Sequence, residues 1–248
     1  MPASTYWKDT RAPRHSLLLA LPLLLLYEAM AAALSGPQTG LRNGADVILQ
    51  ALIVSAVGRD GTLYVTAAVI LLCIAWVIRD ARRNGGIRAS YLPAMLLEAA
   101  VLAVVFAVVV GVATSQLLAG LGGTLMVVEA GQAAAPLPLD TPTAVMLSLG
   151  AGLYEELLFR VLLVTGIAAG VRALLGASTV AAGVLASIAG ALLFSAFHYV
   201  GAYGDPFTVE SFTFRAIAGL AFSGLYLLRG FGITAWTHAL YDIGVLVL

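Results

Sequence analysis

The stretch YLPAMLLEAAVLAVVFAVVVGVATSQLLA, residues 91–119, contains a single acidic or basic residue, Glu98. A helix needs about 20 mostly apolar residues to cross the hydrocarbon core of a bilayer, and this stretch exceeds that length. The whole chain has the same character, since 61% of its 248 residues are hydrophobic and 10% are charged. Soluble domains are roughly 45–50% apolar and about 25% charged. The composition therefore excludes a soluble domain, a disordered chain and a basic nucleic-acid-binding protein, and it predicts a polytopic membrane protein.

Seven stretches are long and apolar enough to be predicted as spanning helices. Helix-ending residues separate them: Ser35-Gly36-Pro37, Arg83-Asn84-Gly85-Gly86, Leu121-Gly122-Gly123, Gly204-Asp205-Pro206 and Arg229-Gly230. An eighth candidate, 45–57, contains polar residues and is too short to cross comfortably. The predicted fold class is all-α: a polytopic transmembrane helix bundle of about seven spans plus one interfacial or re-entrant helix. The predicted spans are 16–35, 61–78, 91–119, 142–168, 178–199, 211–229 and 231–248.

The basic residues predict the orientation of the bundle. They form two clusters, Lys8, Arg11 and Arg14 before the first span, and Arg79, Arg82, Arg83 and Arg88. Basic flanks stay in the cytoplasm, and both clusters share that side only if 45–57 does not cross. We therefore predict an integral protein of the plasma (inner) membrane with a cytoplasmic N-terminus. The segments 120–141 and 200–210, which lack Lys and Arg, are then outside. The first span also resembles a signal peptide, but its apolar run continues through Leu34, which favours an uncleaved anchor.

Ionisable side chains inside the predicted spans are the main functional signal, because each costs a few kcal/mol at the bilayer centre. We expect Glu28 and Glu98, in the first half, to be protonated and to pack against Ser, Thr or Tyr. Most of the others lie in two short strings of the second half. The nine residues singled out are Glu28, Glu98, Glu155, Glu156, Arg160, His198, Arg215, His238 and Asp242.

The first string contains two adjacent glutamates. Glu156 and Arg160 are four residues apart on one helix face, so the pair can neutralise itself inside the bundle. Glu155 lies about 100° further round the helix and has no cationic partner on its own face. Such a carboxylate, buried and not neutralised, is suited to act as a general base. The alternative is that both glutamates and Arg160 form one structural ion network.

The histidines provide the other proton-transfer groups. His238 and Asp242 are also four apart, so the carboxylate can hydrogen-bond the imidazole and orient it. His198 ends the string Phe194-x-x-x-His198 near a helix end. Taken singly, these are a structural pair and an interfacial histidine. Together with Glu155 they predict hydrolysis of a polar bond, with Glu155 and His198 activating water and His238 stabilising negative charge.

The three strings, in order, are Glu155-Glu156-x-x-x-Arg160, Phe194-x-x-x-His198 and His238-x-x-x-Asp242. This order, over about 140–248, resembles the CAAX-protease and bacteriocin-processing (CPBP) family of intramembrane endopeptidases. The resemblance implies a glutamate-dependent intramembrane endopeptidase in which Glu155 and His198 activate water. It implies that His238 and Asp242 stabilise the oxyanion, and that Glu156, Arg160 and Phe194 shape the site.

Position 242 is Asp here, whereas the family pattern allows Asn or Asp, and the two residues differ in what they can do. An Asn donates an amide hydrogen to an oxyanion, whereas an ionised Asp only accepts. Asp242 must therefore be protonated, or must orient His238 and leave the stabilisation to that residue, and we favour the second reading. Resemblance to the family does not by itself imply that the substrate is a CAAX protein.

We therefore predict a single integral-membrane domain, with N-terminal bundle helices in 1–141 and the catalytic motifs in 142–248. Its predicted partners are membrane lipid and a membrane-embedded or lipidated protein substrate, and no nucleic acid. No cofactor or metal is predicted, since the chain has no H-E-x-x-H string. A zinc metalloprotease, a non-catalytic membrane scaffold or immunity-type partner, and a proton-coupled carrier remain as alternatives.

Two further features concern packing and access. The small residues Gly150-Ala151-Gly152 predict close helix packing, within the chain or between chains. His198 lies at the outer end of its predicted span, and Glu155 lies roughly 20 Å from the outer start of its helix. The two converge more readily in the outer half of the membrane, so we expect the site to open to the extracytoplasmic side.

Overall fold

The computed structural model describes residues 3–34, 41–120, 139–201 and 204–247. Within these ranges the chain forms helices and no strands. Six helices are long and apolar enough to cross a membrane, which confirms the predicted all-α polytopic bundle. The helices are α1 Ala3–Arg11, α2 Pro13–Leu34, α3 Gly44–Asn84, α4 Tyr91–Gly120, α5 Thr141–Leu175, α6 Thr179–Phe197, α7 Val209–Arg229 and α8 Phe231–Leu246.

The helix ends follow the predicted helix-ending residues where these are described. Gly85 ends α3 and Gly230 separates α7 from α8, both with a positive φ that suits glycine. The seventh predicted span, 231–248, corresponds to α8, which has 16 residues and is about 24 Å long. The predicted breaks at Ser35-Gly36-Pro37 and Leu121-Gly122-Gly123 lie outside the described residues.

Helix α3 joins two segments that the sequence separated. The predicted short helix 45–57 and the predicted span 61–78 form one helix of 41 residues. Gly58, between them, has non-helical backbone angles (φ 74°, ψ 171°), so the helix changes direction there. The buried residues of α3 lie only at its two ends: Ala45 and Asp46 near the start and Asp80 near the end. The boundary predicted between these two segments is therefore a bend at Gly58 within a single helix.

Close approach of α2, α5 and α8 forms the centre of the bundle. A Cβ atom added at Gly152 in α5 would lie 2.3 Å from the backbone oxygen of Ala235 in α8. One added at Gly150 would lie 2.5 Å from the Tyr27 ring in α2, and one added at Gly232 would lie 2.2 Å from the backbone oxygen of Ser16. The close packing predicted for Gly150-Ala151-Gly152 is confirmed, and it occurs within the chain.

The end of the bundle that carries the basic clusters is closed by buried ion pairs. Arg229, 2% exposed, donates two hydrogen bonds to the Glu98 carboxylate (2.5 and 2.8 Å) and lies over the Trp7 ring. Arg14 bonds Asp80 at 3.0 Å, which anchors the end of α3 beside the start of α2. Glu98 also accepts a hydrogen bond from Tyr6. The predicted contact of Glu98 with a Ser, Thr or Tyr is therefore present as Tyr6, but the ion pair with Arg229 was not predicted.

Replacing Gly152 tests the helix contact that positions the site. Gly152→Ala places a methyl group against the α8 backbone, and we expect it to cost about 1–3 kcal/mol of stability. Gly166→Ala is the matched control in the same helix, since nothing lies within 4 Å of its added Cβ. Thermal unfolding of the detergent-solubilised protein measures both. Equal melting temperatures for the two variants would contradict this packing.

Candidate active site

Helix α5 widens where it carries the two glutamates. Two π-helical stretches, Ala151–Glu155 and Leu157–Val164, flank Glu156. A π turn holds more residues than an α turn, and such turns occur frequently at functional sites. Both carboxylates are consequently buried, Glu155 at 7% exposure and Glu156 at 0%.

Glu156 forms a buried ion pair with Arg160, as the sequence predicted. Arg160 Nη1 lies 3.1 Å from Glu156 Oε1, and both side chains are inaccessible. The same oxygen lies 2.7 Å from Nδ1 of His238 in α8. A carboxylate oxygen accepts, so Nδ1 of His238 carries the hydrogen. Glu156 therefore both neutralises the cation and fixes the orientation of the imidazole.

Aromatic rings enclose the charged groups. The Arg160 guanidinium lies 4.4 Å from the centre of the Phe194 ring and 5.3 Å from that of Phe222. The Phe222 ring stacks on the imidazole of His238 with 4.3 Å between centroids. Phe194 also makes an edge contact with His198. Cation–π contacts of this kind are stronger when desolvated, and Phe194 contacts both histidines and the cation, as expected of a residue that shapes the site.

Glu155 has a different environment from its neighbour. Its Oε1 accepts a hydrogen bond of 2.9 Å from the side-chain amide of Asn43, and its Oε2 lies 4.0 Å from His238 Nε2. No permanent cation is within ion-pair distance of it among the described residues. The prediction that Glu155 lacks the cationic partner given to Glu156 is confirmed.

His198 follows the last residue of α6 and is half-buried. Its Nδ1 lies 2.8 Å from the backbone oxygen of Phe194, which can only accept, so Nδ1 carries the hydrogen. In the neutral ring Nε2 is then left with a free lone pair. His198 and His238 both contact the ring of Phe194, and Glu155 lies 4.0 Å from His238, so the structure brings His198 and Glu155 to the same site.

Asp242 does not form the hydrogen bond predicted for it. Its Oδ2 lies 3.6 Å from Nε2 of His238, beyond hydrogen-bond length. Glu156 makes the short contact to this imidazole instead, on the opposite ring nitrogen. The expectation that Asp242 orients His238 is therefore corrected: Glu156 orients the ring, while Asp242 and Glu155 both lie near its second nitrogen.

A second polar cluster, contributed by α2 and the start of α3, adjoins the site. Arg42 donates to both oxygens of Glu28 (2.8 and 2.9 Å) and also pairs with Asp46. Tyr154, next to Glu155, donates to Glu28 at 2.7 Å. Burial lowers the pKa of Arg42, but its bonds to the two carboxylates outweigh this and raise that pKa overall. Glu28 was predicted to pack against Ser, Thr or Tyr; Tyr154 is such a partner, but the ion pair with Arg42 was not predicted.

Sequence reasoning missed Asn43, Tyr27 and this cluster. The string Asn43-Gly44-Ala45-Asp46 does carry a local signal, because Asn is a preferred helix N-cap. Nothing in it points to Glu155, which is 112 residues away. Within the described part of the chain, no group of three or more His, Cys, Asp or Glu side chains is arranged to hold a metal ion.

The fold and this cluster define a polytopic membrane protein with a buried acid–base site. Residues 137–244 match the family described as type II CAAX prenyl endopeptidase Rce1-like. The match confirms the resemblance drawn from the three motifs, all of which it includes, and supports an enzyme of the CAAX-type intramembrane endopeptidase class. Comparison with curated proteins and with solved structures gave no match for the chain.

Breaking the buried ion pair tests the structural role of Glu156. Glu156→Leu leaves the Arg160 guanidinium buried without its carboxylate, and we expect a loss of about 3–5 kcal/mol. The double variant Glu156→Leu/Arg160→Met removes both charges, and we expect most of that stability to return. Thermal unfolding in detergent measures the three proteins. A double variant less stable than the single one would show that Glu156 does not act by balancing Arg160.

Proposed function

We propose that this protein is an intramembrane endopeptidase that hydrolyses a peptide bond of a membrane-embedded or lipidated protein with water activated by Glu155 and His198. The observation that carries this proposal is the contrast between the two adjacent glutamates. Glu156 is paired with the guanidinium of Arg160, whereas Glu155 has no arginine or lysine within ion-pair distance among the described residues and lies 4.0 Å from the imidazole of His238. A buried carboxylate in that position can take and return a proton.

The first chemical step is attack of water on the scissile carbonyl. Asn43 occupies Oε1 of Glu155, and Oε2 faces the space beside His238. A water molecule held between this carboxylate and Nε2 of His198 loses a proton to Glu155 as its oxygen bonds the carbonyl carbon. The protonated Glu155 then gives the proton to the departing nitrogen, and the carbon–nitrogen bond breaks.

His238 stabilises the negative charge that develops on the carbonyl oxygen. Its Nδ1 donates to Glu156, so Nε2 can donate to an oxyanion only if the ring carries both hydrogens. Three carboxylates lie within 4 Å of this imidazole, those of Glu155, Glu156 and Asp242, and they favour its positive form. Asp242 then acts mainly by holding this charge, which is consistent with its lack of a direct hydrogen bond.

The helix directions support a site that opens away from the basic clusters. The ends of α2 and α3 that carry Arg14 and Asp80 pair with each other, at the end opposite the loop that holds Asn43. His198 lies at the C-terminal end of α6, beside the chain segment that leads to α7. With the basic clusters in the cytoplasm, the site faces the extracytoplasmic side.

The membrane location of the site and the family matched by residues 137–244 together indicate the class of substrate. The matched family is described by its action on CAAX prenyl proteins, so a farnesylated peptide ending in a CAAX sequence is the first probe. The proposed chemistry acts on the peptide bond alone and does not require a prenyl group. A substrate without one, if it reaches the site from the bilayer, is attacked by the same residues.

Substitution of the water-activating pair tests the activity. We expect Glu155→Gln and His198→Ala each to lower cleavage of the farnesylated peptide by roughly 10²–10⁴-fold, because general acid–base catalysis contributes about that much. Glu210→Gln, which neutralises an exposed carboxylate in the first turn of α7, is the control and keeps full activity. Comparative proteomics of membranes that contain wild type or Glu155→Gln identifies other substrates as accumulated precursors. A fully active Glu155→Gln protein would refute the proposal.

Cysteine labelling tests the proposed orientation. In a Cys73→Ser background, we expect Phe207→Cys to react with a membrane-impermeant maleimide on intact cells. Arg83→Cys, at the other end of the bundle, stays unlabelled until the cells are opened. Both positions are exposed in the fold. Labelling of position 83 but not 207 on intact cells would reverse the assignment.

A further inference from the structure

We infer that Asn43, outside the region that matches the family, is a positioning residue that holds the Glu155 carboxylate ready for water activation. The inference rests on the proposed function, since it takes Glu155 as the general base. Asn43 lies immediately before α3, whereas the family match covers residues 137–244. The N-terminal half of the chain would then complete the site.

The Asn43 side chain makes two different hydrogen bonds. Its Oδ1 accepts from the backbone N–H of Ala45 at 2.9 Å, which caps the start of α3. Its Nδ2 donates to Oε1 of Glu155, also at 2.9 Å. The reversed amide would place oxygen against oxygen and NH₂ against N–H, so this network permits one orientation. Capping the helix therefore directs the donor towards Glu155.

Asn43 is itself held in place from several sides. Its backbone N–H donates to the hydroxyl of Tyr27 at 3.2 Å, and that hydroxyl donates to Asp46 at 2.8 Å. Gly150 of α5 lies against it, since a Cβ at that position would be 2.8 Å from the Asn43 Cβ. Asn43 is 7% exposed, as is Glu155. The donor thus has little freedom to leave the carboxylate.

A neutral donor has a different effect on a carboxylate from a cation. Arg160 forms a buried ion pair with Glu156, so that carboxylate already has a fixed cationic partner. An amide stabilises the ionised form of Glu155 more weakly, so that carboxylate can still accept a proton during reaction. The bond also fixes which oxygen remains for water, because Oε1 is occupied and Oε2 faces His238.

Asn43→Ser separates the two roles of this residue, because serine also caps helices but is too short to keep the amide bond to Glu155. In liposomes, with the farnesylated CAAX peptide, we expect kcat to fall about 10- to 100-fold and KM to change by less than about 3-fold. The acidic limb of the pH–kcat profile should move to higher pH, because the carboxylate without its donor holds a proton more tightly. Ser178→Ala, which removes the N-cap of α6, is the control and leaves the profile unchanged.

A second readout needs no substrate. Dicyclohexylcarbodiimide reacts with protonated carboxyl groups in apolar surroundings, and mass spectrometry measures its modification of Glu155 across pH. We expect the midpoint to lie at higher pH in Asn43→Ser than in wild type and Ser178→Ala. If the midpoint of Glu155 modification and the pH–kcat profile are both the same in Asn43→Ser as in wild type, the inference is overturned and the proposed function stands. This holds whether or not the variant has a lower melting temperature. Activity of Glu155→Gln on the same peptide would instead overturn the proposed function.

Discussion

The buried contact between Glu156, Arg160 and His238 is the interaction on which the rest of the bundle depends. An isolated charge inside a membrane protein is costly, so each must have its partner close by. Arg160 and Glu156 lie one helical turn apart in α5, and His238 of α8 reaches the same carboxylate oxygen. Rings from α6 and α7, Phe194 and Phe222, cover the cation. Side chains from four helices, α5 to α8, therefore contribute to this one cluster.

This arrangement also determines what the neighbouring Glu155 can do. Because Arg160 is already paired, Glu155 is left with an amide and imidazoles as its partners. The helices must approach closely for these contacts to form, which explains why glycines face α8 and Tyr27 at the same level of α5. Under the proposed mechanism, Glu156 contributes to the stability of the bundle and the next residue towards the N-terminus, Glu155, carries out the proton transfer.

Local sequence patterns predicted much of this structure. Apolar stretches of sufficient length predicted the helices, and the four-residue spacing predicted the pair of Glu156 and Arg160, because both depend only on helix geometry. The contacts of His238 with Glu156 and of Asn43 with Glu155 join residues 82 and 112 positions apart. No spacing rule reaches that far. Glu28 and its partner Arg42 are only 14 residues apart, but Arg42 lies outside the helix that carries Glu28, so helix spacing does not predict their contact either.

A structure of the Glu155→Gln protein with an uncleaved substrate peptide tests the central claim most directly. We expect the scissile carbonyl carbon to lie about 3–3.5 Å from a water molecule held between residue 155 and His198. The carbonyl oxygen should point at Nε2 of His238. A peptide bound with its scissile bond elsewhere, or with its carbonyl facing Arg160, would contradict the assignment of this cluster as the catalytic centre.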